Sequence, residues 1–134
     1  MNLEVETSLA AWLRSQPAFD GIPVHTGQSS DPIPNDQPVL IVGVDSSEVI
    51  AARLYKLAVS IVAATPCIVE GALESHSGIS ANLRTAILAA DQLAASFPST
   101  ITLAGAVLSQ ISETRESDRW LTTASLTIGL IAPI

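Results

Sequence analysis

The stretch ISANLRTAILAADQLAASF, Ile79 to Phe97, decides the fold, because a helix is the one regular structure that gathers its apolar residues. Ile79, Leu83, Ala86, Ile87, Ala90, Leu93, Ala94 and Phe97 recur at spacings of three and four. Asn82, Arg84, Thr85, Asp91, Gln92 and Ser96 fall elsewhere on the wheel. The stripe is rich in alanine, so its backbone can approach whatever it covers, and strand-like segments flank it on both sides. A helix laid across a sheet follows. Pro98 closes it, and Ser75 or Ser77, in a linker from Gly71 to Gly78, is expected to cap its start.

Upstream of that helix, Val39 to Val44 reads as a continuous apolar strand, covered on both faces. Asp45, Ser46, Ser47 and Glu48 read as a turn, after which Arg53 to Ala64 runs as a second strand with Tyr55, Leu57, Val59 and Ile61 on one side. Thr65 and Pro66 are expected to stop it. Downstream, Thr100 to Ser112 reads as a long strand with Ile101, Leu103, Val107 and Ile111 on one face, and Gly105 marks a bulge or a close approach. Glu113 to Asp118 is a polar turn. Trp120 to Ile131 then gives the clearest alternation in the chain: Trp120, Ala124, Leu126, Ile128 and Leu130 point one way, Thr123, Ser125 and Thr127 the other.

At the N-terminus, Asn2 can cap a helix whose first turn carries Glu4 and Glu6 and whose stripe is Val5, Leu9, Trp12 and Leu13. Pro17 ends it. Phe19 to Pro38 is dominated by Gly, Pro, Ser, Asn and Asp, with room for a brief strand at Val24 to Thr26 and a loop from Gln28 to Gln37. The order predicts one α+β domain spanning residues 1–134. Its sheet has four to five strands, mainly antiparallel, with the N-terminal and central helices packed on one face.

Hydrophobic residues make up 48% of the 134, but only 14% are charged, against roughly a quarter in an ordinary soluble domain. Part of the surface is then expected to be covered by other subunits. A membrane span would need about 18 uninterrupted apolar residues, and the chain has no such run. With Glu4 and Glu6 and no basic residue before Arg14, the start does not read as a secretory signal. A net charge of −7 argues against general affinity for a phosphate backbone, which is driven by clustered cations. Cys67 is the single cysteine, which excludes an intramolecular disulfide and fits a reducing compartment.

Chemistry-bearing patterns are sparse, and no enzyme, cofactor or metal site is expected. His25, beside Thr26 and within reach of Asp31, has no nucleophile elbow or oxyanion motif to serve as a general base. His76 reads as part of a helix entry loop. The carboxylate groups, Asp45 with Glu48 and Glu113 with Glu116 and Asp118, lack the spacing of a calcium loop. Cys67 has no basic neighbour to activate it and reads as a small buried apolar residue. Glu113, Arg115, Glu116, Asp118 and Arg119 together form a mixed-charge hairpin tip, which is either solvated or a partner contact.

An acidic chain with an N-terminal helix, a Pro/Gly-rich excursion, two strands, an Ala-rich helix and a closing hairpin whose polar turn leads into Arg119 and Trp120 resembles the tail terminator proteins of long-tailed bacteriophages. The resemblance covers nearly the whole chain. It implies a structural virion protein, assembled in the host cytoplasm and placed at the tail neck, that forms a homo-oligomeric ring, typically a hexamer. Such a ring ends polymerisation of the tail tube protein and presents a surface to the head connector or head-closure protein. DNA would pass through without specific binding, and an acidic lumen is implied, to which Asp45, Glu48, Glu70 and Glu74 are candidates. Tail completion and head-tail joining proteins share these features and remain an alternative. A different class, an α+β domain enclosing an apolar small molecule, would fit the elements too, though aromatics are only 4% of the chain.

Overall fold

The computed structural model describes residues 2–27, 36–67, 71–88, 97–98, 101–116 and 118–131. Helix α1 (Asn2–Ser15) is followed by a 3-10 turn (Pro17–Phe19), strands β1 (Val24–Thr26), β2 (Val39–Ala51) and β3 (Leu54–Pro66), helix α2 (Ala72–Leu88), and strands β4 (Thr102–Glu116) and β5 (Arg119–Ile131). The five strands form one sheet in the order β1-β2-β3-β5-β4. Only the β1–β2 pair is parallel. The sheet is therefore mixed but mostly antiparallel, and the fold is α+β.

Both helices lie on one face. Helix α1 packs on β1 and β2, and α2 on β3 and β5. Between helices and sheet sits a single core that includes the fully buried Val5, Leu9, Leu13, Leu40, Val42, Leu57, Ile61, Leu83, Ile128 and Leu130. These are the inward positions of each period, which is why the alternation of β3 and β5 predicts their orientation. The opposite face presents Ser60, Val62, Thr123, Ser125 and Thr127, all half-buried, and carries no helix among the described residues.

Several expected boundaries move. Asp45 to Glu48 is not a turn: β2 continues to Ala51, and Ser46, Ser47 and Glu48 stand opposite Ala58, Leu57 and Lys56. A bulge between Val44 and Ser46 keeps the ladder going past the polar residues. The result is a long β2–β3 ribbon, exposed on the β2 side from Asp45 to Arg53, with its turn at Ala52 and Arg53, while β3 stays paired with β5 up to Leu54 opposite Ile131. Thr65 and Pro66 do not stop β3 but pair with Trp120 and Arg119. Glu113 to Glu116 likewise belong to β4, with Glu116 opposite Arg119 at the start of β5.

Register shifts on β4 between Leu103 and Gly105 and between Leu108 and Gln110 change which residues face inward. Leu103, Ala106, Leu108 and Ile111 meet the core, whereas Val107, expected inside, is 64% exposed. Gly105 does mark an irregularity, as its lack of a side chain suggests. Helix α2 begins at Ala72, so Ser75 and Ser77 lie inside it and are not caps. Gly71, at φ 69°, supplies the left-handed turn into the helix that a side chain would resist. Ile79, Leu83, Ala86 and Ile87 are buried on α2, as the stripe requires, and Phe97 is buried in a bend outside the described helix. Ala90, Leu93 and Ala94 lie outside the described residues.

Glu6 is a further departure from the sequence reading. Expected in the first turn of α1, it lies beyond that turn and is buried, and its Oε1 accepts from the Gly27 amide at 3.1 Å. The same amide donates to the Val42 carbonyl at 2.9 Å. A Cβ at Gly27 would stand 2.9 Å from that carboxylate oxygen. Gly27→Ala is expected to displace the carboxylate and lower stability by about 1–3 kcal/mol, the range for a buried polar group losing its partner. Chemical denaturation checks this, and Glu6→Gln in the alanine background should recover little.

Candidate functional site at the hairpin end of the sheet

The register places four segments at one end of the molecule. Pro66 pairs with Arg119, which itself pairs with Glu116, and α2 starts a few residues beyond Pro66. The Cys67 amide donates to the Asp118 carbonyl at 2.8 Å, which ties the end of β3 to the β4–β5 turn. Cys67, Gly71, Ala72, Leu73, Glu74, Arg115 and Trp120 then line an open depression of about 590 Å³. Arg115 and Trp120 are cross-strand partners, and the guanidinium lies 5.3 Å from the indole centroid. A cation over an indole face is held by the ring quadrupole, so the pair keeps Arg115 beside the depression.

At the same end runs a polar chain, buried at Thr65, His76, Ser80 and Thr122 and ending on the exposed Glu113. Thr65 Oγ1 and His76 Nδ1 are 2.9 Å apart, and His76 Nε2 and Thr122 Oγ1 are 2.8 Å apart. Thr122 donates to Ser80 Oγ at 3.1 Å, and Ser80 donates to Glu113 Oε1 at 2.7 Å. Glu113 as a carboxylate can only accept, so each hydroxyl in turn must donate towards it. This order makes Thr122 an acceptor for Nε2–H and leaves Nδ1 to accept from Thr65. The neutral imidazole is thus satisfied on both nitrogens, with its proton on Nε2. Burial lowers the His76 pKa below its ordinary value, and the Glu113 charge opposes this to a smaller extent.

His76 is therefore not part of an entry loop. It lies on the inner face of α2, and Ala72, His76, Ile79, Ser80 and Leu83 extend the apolar stripe one turn upstream at helical spacing. That spacing was present in the sequence as a signal, but the two polar residues masked it. Thr122 shares the inward parity of Ala124 to Leu130, and Thr65 that of Leu57 to Ala63. Cys67, expected to be buried, is half-exposed.

The expected contact residues are brought together in part. Arg115 lines the depression, and Glu113 closes the polar chain behind it. Glu116 and Asp118 are exposed at the tip, and Arg119 is half-buried. The three candidate lumen acids among the described residues do not converge. Glu74 sits in the first turn of α2 at this end. Asp45 and Glu48 lie along the ribbon towards the other end, roughly 30 Å away by strand rise along β3, and the Asp45 carboxylate accepts from the Ser60 hydroxyl. Glu70 lies outside the described residues.

His25 is half-buried on β1, opposite Ile41, and its Nε2 has no hydrogen-bond partner among the described residues. Asp31, imagined beside it, lies outside them. Among the described residues no group of three His, Cys, Asp or Glu side chains is placed to hold a metal ion, and no helix is long and apolar enough to cross a membrane.

No protein-family model matches the chain, and no curated protein matches it. A solved structure of 17% sequence identity is similar over 98% of this chain and 92% of its own length, with a TM-score of 0.50. At that identity the likeness concerns the fold alone.

Proposed function

We propose that this chain is a non-enzymatic ring subunit at the head-proximal end of a phage tail, where it ends polymerisation of the tail tube and joins the tail to the head connector. The observation that carries the reading is the β2–β3 ribbon. Among the described residues its β2 strand runs past β1 with no neighbour on the outer side, and Val49 and Ile50 near its turn are 61% and 54% exposed. An open strand edge with exposed apolar residues is a liability in a monomer and an interface in an assembly. The 15-residue edge strand β4 and the scarcity of charge support the same reading. In this role the protein binds and does not catalyse; its partners are its own copies, the tube protein and the connector, and DNA passes the net-negative ring without adhering.

Light scattering over a concentration series, with electron microscopy of the assembled fraction, tests the proposal. A closed ring of about six copies is expected, as cyclic symmetry allows. Added to polymerising tail tubes, the ring should fix their length. Joining of heads with no effect on tube length would reassign the chain to head-tail joining. A monomer that leaves tubes growing would refute the reading.

A further inference from the structure

We infer that the β2–β3 tip of one copy seats in the depression at the hairpin end of the next copy. The inference rests on the ring reading for its symmetry and on four observations for its chemistry. First, tip and depression lie at opposite ends of the sheet, separated along β3 by roughly 40 Å, so this tip cannot fill the depression of its own copy. Second, both are apolar at the centre: Val49 and Ile50 at the tip, Ala72, Trp120 and the 55% exposed Leu73 in the depression. Third, both carry charges of both signs, Glu48, Arg53 and Lys56 at the tip, Glu74 and Arg115 at the depression. Glu48 against Arg115 and Arg53 against Glu74 is the complementary arrangement. Fourth, a volume of about 590 Å³ accommodates two aliphatic side chains.

Of the other exposed large apolar residues among those described, Ile131 lies beside the tip, opposite Leu54, and the rest are poorer candidates. Leu3 and Leu88 stand on helix surfaces, and Val107 stands on the edge strand. A tip-to-depression joint is heterologous, the same two patches meeting at every junction, and closes into a ring when its rotation closes.

Cys67 makes the joint directly testable, because it lines the depression and is the one cysteine of the chain. Ile50→Cys should give, on mild oxidation, a reducible ladder of oligomers that disappears in the Ile50→Cys, Cys67→Ser double variant. Glu48→Arg and Arg115→Glu should each weaken association about tenfold, and the two together should restore it. Dimers of Ile50→Cys that persist without Cys67 would show tip meeting tip and overturn the joint. Oligomers seen by light scattering but never cross-linked would also overturn it while leaving the ring standing. Cross-linked open filaments would keep the joint and remove the ring. A monomer with no cross-link at any concentration would remove both.

Discussion

Leu83→Ala is expected to lower the unfolding free energy by about 2–5 kcal/mol, the range for deleting a fully buried leucine side chain into a core that relaxes only in part. Leu83 has no exposed surface and sits at the middle of the stripe by which α2 lies on β3 and β5. Against a total of about 5–15 kcal/mol for a domain, the loss approaches the margin. Urea denaturation reads it as a lower midpoint with an unchanged slope. Leu88→Ala is the matched control: the same deletion five residues on, where the side chain is 77% exposed, should move stability by less than about 0.5 kcal/mol. Similar losses from both would mean that α2 does not present the face described here.

The second large effect is expected at the buried polar chain. Thr122→Val keeps the shape of the side chain but removes the acceptor for His76 Nε2–H and the donor to Ser80. Two buried groups lose a partner at once, and the expected cost is about 1–3 kcal/mol for each one left unsatisfied. The same histidine gives a pH dependence of known sign. Its folded pKa is depressed, chiefly by burial, below the 6.5 of a free imidazole. The unfolded chain therefore takes up a proton first as pH falls. The contribution of His76 is complete above pH 6.5, is lost as pH falls from there towards the folded pKa, and changes no further below it. One proton limits the slope to about 1.4 kcal/mol per pH unit. His76→Gln, which can still donate and accept, should remove this component, so the difference between the two proteins in stability across pH 5–7.5 is the readout. An unchanged slope in His76→Gln would show that His76 is protonated equally in both states.

The sequence carried the core better than the ends. Leu57, Ile61, Leu83, Ile128 and Leu130 could be placed inward because periodicity is a local property and the core obeys it. Asp45 to Glu48 and Glu113 to Glu116 could not be placed as strand. Their polarity signals a turn, while what holds them extended is a ladder to residues that are themselves strand, Leu57 and Lys56 in one case, Trp120 to Thr122 in the other. Val107 was misplaced for a related reason, since two register shifts on β4 break the parity that its sequence keeps. At the candidate site, the charges at the tip were legible, but their companions were not. Cys67, Leu73 and Glu74 reach Arg115 and Trp120 only through the β3–β5 pairing, and His76 was hidden by being polar on an inner face.

The strand order has a consequence for how the chain reaches this state. The two hairpins, β2–β3 and β4–β5, are each closed by short turns, whereas β3 and β5 meet with Leu54 opposite Ile131 and Pro66 opposite Arg119, across the whole of α2. Local hairpins close in microseconds, but the central seam must wait for a loop of more than about fifty residues to be brought round, which raises the contact order and slows folding. Until it closes, β3 and β5 are both open edges on half-built sheets, the condition in which chains pair with one another instead of with themselves. Nascent copies therefore pass through a stage in which the wrong strand can be joined, before the seam between β3 and β5 removes both of those edges.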